Sequence, residues 1–384
     1  MSLIKEKTIR IENFAKELGF DGFGVTRGLP SKSIENYKEW LNLDYQGEMS
    51  YMSRNAEKRS SLDAVLSRVQ SVVCLRTNYM TEDKNMNFIH EKDRGDFSLY
   101  ALNEDYHEVL IQKHKKLEEK IKEEFKGCRT KIYIDTGPIL EKPLAQSAGL
   151  GWVGKHTNLI TEHIGSYYFI SEILVDVALE DSEPSLDKCG TCRSCIDICP
   201  TKAIVAPYIL DSRKCISYLT IELKGVIPIE LRKAMGNHIY GCDDCQVVCP
   251  WNSFAVKTDE ESFRAQDGSF QLIELIRLND EGFRKRFKKS PVKRTKRRGL
   301  LRNVAVALGN SGNLSAVGPL IDALSDHEPL IRAHVVWALG ELIGKKALPI
   351  LNKTLTNEEE DIVKNEVNLL KQNYNREVID CPIT

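Results

Sequence analysis

Eight of the eleven cysteines in this 384-residue chain fall between Cys189 and Cys249. Cys189, Cys192, Cys195 and Cys199, followed by Pro200, form CxxCxxCxxxCP, a run in which three thiolates cap corners of one iron-sulfur cubane and the fourth ligates another. A half-run, Cys242, Cys245 and Cys249 before Pro250, ends in the same xxxCP and lacks only its first cysteine. Cys215, between the runs, is the substitute. The expectation is two 4Fe-4S clusters, one on Cys189, Cys192, Cys195 and Cys249, the other on Cys199, Cys215, Cys242 and Cys245. Zinc would favour separate CxxC pairs with four ligands per metal. Cys74, Cys128 and Cys381 stand apart and are expected to be buried, inert thiols.

Upstream, GLGWVG (Gly149 to Gly154) matches GxGxxG, but a dinucleotide loop should follow a strand and open a helix. Here the helical-looking EKPLAQSA precedes it and KHTNLIT, loop and then strand, follows, so the dinucleotide reading fails. Glycines at this density would still let backbone approach a large flat cofactor. Asp135 ends the strand KIYID, where a carboxyl beside an apolar cofactor could donate a proton; an Asx-turn before Gly137 is the plainer alternative. In DYH, Asp105 is expected as an N-cap and His107 as a structural histidine.

The net charge of −1 hides segregation. Arg284 to Arg302 carries eleven Lys or Arg and no acid, a run suited to phosphates, with a solvated helical face as the alternative. The composition is globular, 42% hydrophobic and 28% charged. No apolar stretch approaches the roughly 18 residues of a membrane span, and the start has no signal-peptide core. A cytoplasmic protein is expected, where clustered thiols serve metals rather than disulfides.

The elements that must position these groups follow from periodicity. Ile4 to Leu18 predicts a helix, Asp21 to Thr26 a turn and strand, Ser71 to Tyr79 a buried strand, Tyr106 to Phe125 a long amphipathic helix, Lys131 to Gly137 a strand ending in a turn, and Ser166 to Ala178 a further strand. Strands alternating with helices indicate an α/β layer. An acidic linker, Leu179 to Asp187, leads into the cysteine block. Beyond the basic run, RNVAVALGNSG (Arg302 to Gly312) echoes RAHVVWALGEL (Arg332 to Leu342), a HEAT-like helical repeat whose units must stack to bury their apolar faces. The expected domains are 1–180 (α/β), 181–255 (two-cluster, bacterial ferredoxin-like), 256–293 (linking, with the basic run) and 294–384 (all-α HEAT-like repeat).

With GEMSYM, YALNEDYH, DTGPILEKPLAQSAGLGWVGKHTNLI and CISYLTIE in order around the cysteine block, the chain resembles the epoxyqueuosine reductase family from roughly Gly47 to Gly340. The resemblance implies a cobalamin-binding α/β domain and reductive removal of the epoxide oxygen of epoxyqueuosine at the tRNA wobble position, giving queuosine. It makes Asp135 the proton donor. It has Arg59, Tyr100, Trp152, Lys155, His156 and Thr157 line the cobalamin, with Cys242 and Asp243 between cofactor and cluster. Base-off cobalamin is expected, since DYHEVL lacks the glycine of the DxHxxG signature. Lys224, Lys293, Arg294, Arg297, Arg298 and Arg302 are the expected contacts to the anticodon stem-loop. An external flavodoxin or ferredoxin would supply electrons to a monomer. Leu62, Leu99, Lys142 and His156 depart from the family pattern. A reductive dehalogenase-like enzyme would need neither basic run nor repeat, and an electron carrier or RNA-binding scaffold would bind no corrinoid.

Overall fold

A computed structural model describes residues 1–84, 86–264 and 270–376. Cys381 lies outside them. The chain forms two compact units, each assembled from separate stretches: Met1–Lys84, Leu102–Arg213 and Asp243–Gln266 in the first, Asn85–Ala101, Lys214–Cys242 and Asp267–Thr384 in the second.

The first unit is built on a four-stranded sheet. Its strands are β1 (Gly22–Thr26), β2 (Ser71–Asn78), β3 (Thr130–Tyr133) and β4 (Tyr168–Val175), in spatial order β1-β2-β4-β3. The helices that sandwich it are α1 (Leu3–Glu17), α2 (Tyr106–Glu124) and α3 (Glu141–Ser147). Because side chains alternate across a strand, Val73 and Leu75 of β2 join Ile173 and Val175 of β4 in one core with Ile11, Leu117 and Ile121 of α1 and α2. Val72, Cys74 and Leu174 face the other way, onto Leu144 and Ala145 of α3. With cores on both faces, all eight residues of β2 are buried, and Val72 to Leu75 within it form a continuous apolar run.

Every pairing in this sheet is antiparallel. The α/β layer expected from the sequence is thus built on an antiparallel sheet. Strand direction leaves no mark on the pattern of apolar side chains, so alternation alone could not reveal it.

The second unit contains the repeat: α4 (Lys296–Ser311), α5 (Pro329–Ile343) and α6 (Asp361–Arg376). The tripeptide Ala-Leu-Gly recurs at 307–309 and 338–340 for a packing reason. A Cβ on Gly309 would lie 2.7 Å from the Trp337 ring and 3.0 Å from Cα of Ala338, and one on Gly340 would lie 2.3 Å from Leu370. Each glycine therefore marks where the next helix presses in.

The same unit contradicts part of the basic-run reading. Arg302 is fully buried and donates to the carbonyls of Leu219, Leu223 and Gly225. Arg297 is buried too, paired with Asp326 and donating to Leu278 O at 2.7 Å. Both guanidinia satisfy internal acceptors, so neither is a surface contact for RNA. Lys224, Lys293 and Arg294 are exposed and Arg298 is partly exposed.

Candidate active site and metal centre

Two constellations form within the first unit. The first is a cavity lined by Cys189, Cys192, Cys195 and Cys249, the four residues that the spacing assigned to one cluster. Burial, and then the neighbouring thiols, push Cys195 up to about 11; Cys189 and Cys249 also rise, chiefly through burial. Cys192 alone is lowered, by its hydrogen bond to Ser194; the other three resist becoming thiolates together unless cations neutralise them, and metal ligation removes their protons outright. The donor set therefore fits an iron-sulfur cluster.

Around this cavity, Trp152 and Lys155 are committed to the cysteine loop. Lys155 Nζ donates to the carbonyls of Gly190 (2.6 Å) and Cys192 (2.8 Å), and the buried Trp152 packs with Cys189 and Cys249. His156 lines the same cavity. These three were expected to line cobalamin; the structure places them beside the four thiols. The glycines too are consumed internally. A Cβ on Gly151 would sit 2.2 Å from Ile160 O, one on Gly149 2.5 Å from Glu183 O, and one on Gly154 2.5 Å from Ile160 Cδ1. They shape a hairpin, Trp152–Val153 against Leu159–Ile160, rather than a cradle for a flat cofactor. The hairpin also confirms that GLGWVG opens no helix.

Of the other cysteines, Cys199 and Cys245 belong to the first unit, Cys215 and Cys242 to the second. Within the second, Cys242 Sγ lies 3.9 Å from His238 Nε2, whose Nδ1 is 2.8 Å from Asp96. Cys74 is fully buried, and burial pushes its thiol well up, as expected of an inert side chain; Cys128 is half-buried.

The second constellation surrounds Asp135. Beyond the end of β3, Asp135 takes the left-handed conformation (φ 62°), and its N–H donates to Glu141 Oε1 at 2.9 Å. This bond holds a conformation unusual for a non-glycine residue and leaves the side chain half exposed. Tyr106 donates to Asp135 Oδ2 at 2.6 Å while stacking on Phe169, 4.1 Å between centroids. His107 Nε2 lies 3.7 Å from the same oxygen, and its Nδ1 is 2.7 Å from Asp105 Oδ1. Asp105 also caps α2 through the His107 N–H, as its position predicted.

Burial opposes charge on His107, but its hydrogen bond to Asp105 and the nearby charge of Asp135 prevail and raise it to about 9. The ring is therefore an imidazolium at neutral pH. Burial and then Asp135 push Glu141 up, and the fully buried Glu172 of β4 is pushed well above the usual range by burial and by Glu141.

Asp135 is legible in the sequence, whereas the parts of Tyr106, His107, Glu141 and Glu172 in the site are not. The adjacency in Asp-Tyr-His is the available signal for Tyr106 and His107. Of the remaining predicted contacts, Arg59 is buried and donates to Tyr51 O, Asp243 pairs with Lys84 at 3.1 Å, and Thr157 turns the hairpin with φ 67°. Tyr100 belongs to the second unit, tilted against Tyr240.

Comparison with known proteins supplies the context. Residues 59–136 match the family model "Epoxyqueuosine reductase QueG, DUF1730", residues 188–252 match "4Fe-4S double cluster binding domain" and residues 296–371 match "HEAT repeats". Epoxyqueuosine reductase of Escherichia coli K12 is 39% identical over 353 residues, covering 91% of this chain and 93% of its own. A crystal structure of epoxyqueuosine reductase with a tRNA-Tyr epoxyqueuosine-modified stem loop superimposes with TM-score 0.87 at 28% identity, over 96% of this chain and 98% of that one. That of Bacillus subtilis epoxyqueuosine reductase, with its catalytic aspartate loop swung out of the active site, gives 0.83 at 27% identity over 96% and 98%.

Proposed function

Because this chain belongs to the epoxyqueuosine reductase family, we propose that it removes the epoxide oxygen of epoxyqueuosine at the tRNA wobble position, consuming two electrons and two protons and releasing queuosine and water. One observation carries the mechanism: the half-exposed Asp135 carboxyl group sits just beyond the end of a strand, against Tyr106 and His107.

Loss of the epoxide oxygen requires protonation, since water leaves far more readily than oxide or alkoxide. Asp135 delivers that proton. Tyr106 orients the carboxylate, and His107, charged at neutral pH, returns a proton to it for the next transfer. Glu141 fixes the turn that presents Asp135 outward. The cysteine sets that the spacing defines, Cys189, Cys192, Cys195 and Cys249 and then Cys199, Cys215, Cys242 and Cys245, would hold two 4Fe-4S clusters, which would supply one-electron transfer.

Cobalamin would supply the reducing metal centre, a reading that rests on the family resemblance. Its candidate contacts are now Arg59, Tyr100, Thr157, Cys242 and Asp243, because Trp152, Lys155 and the glycine loop serve the cluster and the hairpin. By function, 1–180 would be catalytic, 181–255 electron-transferring, 256–293 linking and 294–384 the repeat, a division that the interleaved compact units do not follow. Lys224, Lys293, Arg294 and Arg298 contact the phosphates of the anticodon stem-loop, and the modified base is splayed into the site. The enzyme works as a cytoplasmic monomer fed by a flavodoxin or ferredoxin; no helix among the described residues is long and apolar enough to cross a membrane.

Nucleoside mass spectrometry of tRNA from a strain lacking the gene tests the whole reading. Epoxyqueuosine should accumulate and be cleared by the wild-type gene but not by Asp135→Asn. Unchanged queuosine in the deletion strain would reject it.

A further inference from the structure

The cluster cavity holds a polar atom that neither the fold nor the proposed reaction employs. His156 is 3% exposed and lies on the tight connection of the Trp152–Val153/Leu159–Ile160 hairpin. Its Nδ1 accepts the backbone N–H of Asn158 at 3.1 Å. An imidazole nitrogen that accepts carries no hydrogen, so in the neutral ring the hydrogen resides on Nε2. Nε2 is buried without a hydrogen-bond partner in the protein, although the residue lines the cavity of Cys189, Cys192, Cys195 and Cys249.

An orphaned N–H in a buried site costs free energy, and rotation cannot relieve it. The hairpin connection is closed by Gly154 N–H to Asn158 O and Thr157 N–H to Gly154 O, both 2.8 Å. On the other side, Gly154 leaves only the room the ring occupies: a Cβ there would lie 3.2 Å from His156 Cε1. The ring therefore lines the thiols' cavity with its one N–H left without a partner.

We propose that His156 Nε2–H donates a hydrogen bond to a sulfur of the cluster held by Cys189, Cys192, Cys195 and Cys249, and that this bond raises that cluster's reduction potential. The cluster gains one negative charge on reduction, so a donor fixed on its sulfur stabilises the reduced form more than the oxidised one. His156 is thereby a tuning residue that makes this centre easier to reduce than its own ligands would, setting the order in which the two clusters fill. The inference rests on the proposed assignment of iron to these cysteines.

The test is a redox titration, followed by electron paramagnetic resonance, of anaerobically purified full-length holoprotein as wild type, His156→Leu and His156→Gln. At a fixed potential near the midpoint, His156→Leu should lower the reduced-to-oxidised ratio of one cluster about tenfold, about 59 mV downward for a one-electron couple, and leave the other unmoved. His156→Gln, which keeps an N–H donor, should recover part of the shift. Unmoved midpoints with full iron content would overturn the proposal. Should His156→Leu fail to retain its cluster, pulsed resonance of the reduced wild type labelled with 15N-histidine decides. A nitrogen coupling that disappears in His156→Gln supports the bond, and absence of coupling in the wild type overturns it. Wild-type iron separates the two levels of failure: about eight irons per chain without coupling defeats this inference alone, whereas zinc in place of iron defeats the cluster assignment beneath it.

Discussion

Tyr106 donates a 2.6 Å hydrogen bond to Oδ2 of Asp135, joining the first turn of α2 to the loop beyond β3. Neither residue could be given its partner by local spacing, for 29 positions separate them. The bond defines the reactive group's orientation, and it makes separable predictions for the two side chains.

Replacing the acid should be far more damaging than replacing its support. Asp135→Asn should lower the rate of epoxyqueuosine conversion by about 10²–10⁴-fold, with tRNA affinity and iron content unchanged. Tyr106→Phe keeps the stacking on Phe169 and should cost roughly tenfold, since one hydrogen bond of about 1 kcal/mol or slightly more is removed. Single-turnover conversion measured by nucleoside mass spectrometry distinguishes them; equal losses would contradict the assigned roles.

His107 predicts a pH dependence. Its folded value, about 9, lies above the ordinary 6.5, so charging it stabilises the native state fully below about pH 6.5, and this contribution is lost as pH rises through about 9. The stability difference between wild type and His107→Gln should therefore shrink between those values in chemical denaturation. Conversion should also fall on the alkaline side as the imidazolium deprotonates, and that limb should vanish in His107→Gln.

The basic run divides into structural and binding members. Arg302→Met should destabilise by about 3 kcal/mol or more, because buried carbonyls of Leu219, Leu223 and Gly225 lose their donor at ~1–3 kcal/mol each. Arg298→Glu should leave the urea midpoint nearly unchanged and weaken tRNA binding. The slope of log affinity against log salt should shrink by about 0.7–0.9 for each phosphate that is no longer neutralised.

Helix packing in the repeat depends on Gly309, where a Cβ would meet the Trp337 ring and the Ala338 backbone. Gly309→Ala gains helix propensity of about 1 kcal/mol, yet overpacking costs typically about 1–3 kcal/mol, so net destabilisation is expected in a urea titration. A gain in stability would show that the helices separate freely.

Cluster content gives a direct count. Cys249→Ser should reduce iron from about eight to about four per chain and leave the resonance signal of the other cluster. Loss of all iron would mean that the two sites assemble together.

The sequence by itself determined the local and covalent features. The spacing of Cys189, Cys192 and Cys195 places three thiolates on one loop. The apolar run that opens β2 declared a strand covered on both faces, and the recurring Ala-Leu-Gly declared stacked helices. These are legible because each depends on residues within a few positions of one another. Tertiary structure alone decided the antiparallel direction of the sheet, the meeting of Tyr106 and His107 with Asp135, the burial of Arg297 and Arg302 within an apparently uniform basic run, and the attachment of Trp152, Lys155 and His156 to the cluster cavity. Each of those depends on which distant surfaces pack together. A side chain's charge and polarity are written in the chain, but its neighbours and its exposure to water exist only once the chain has folded.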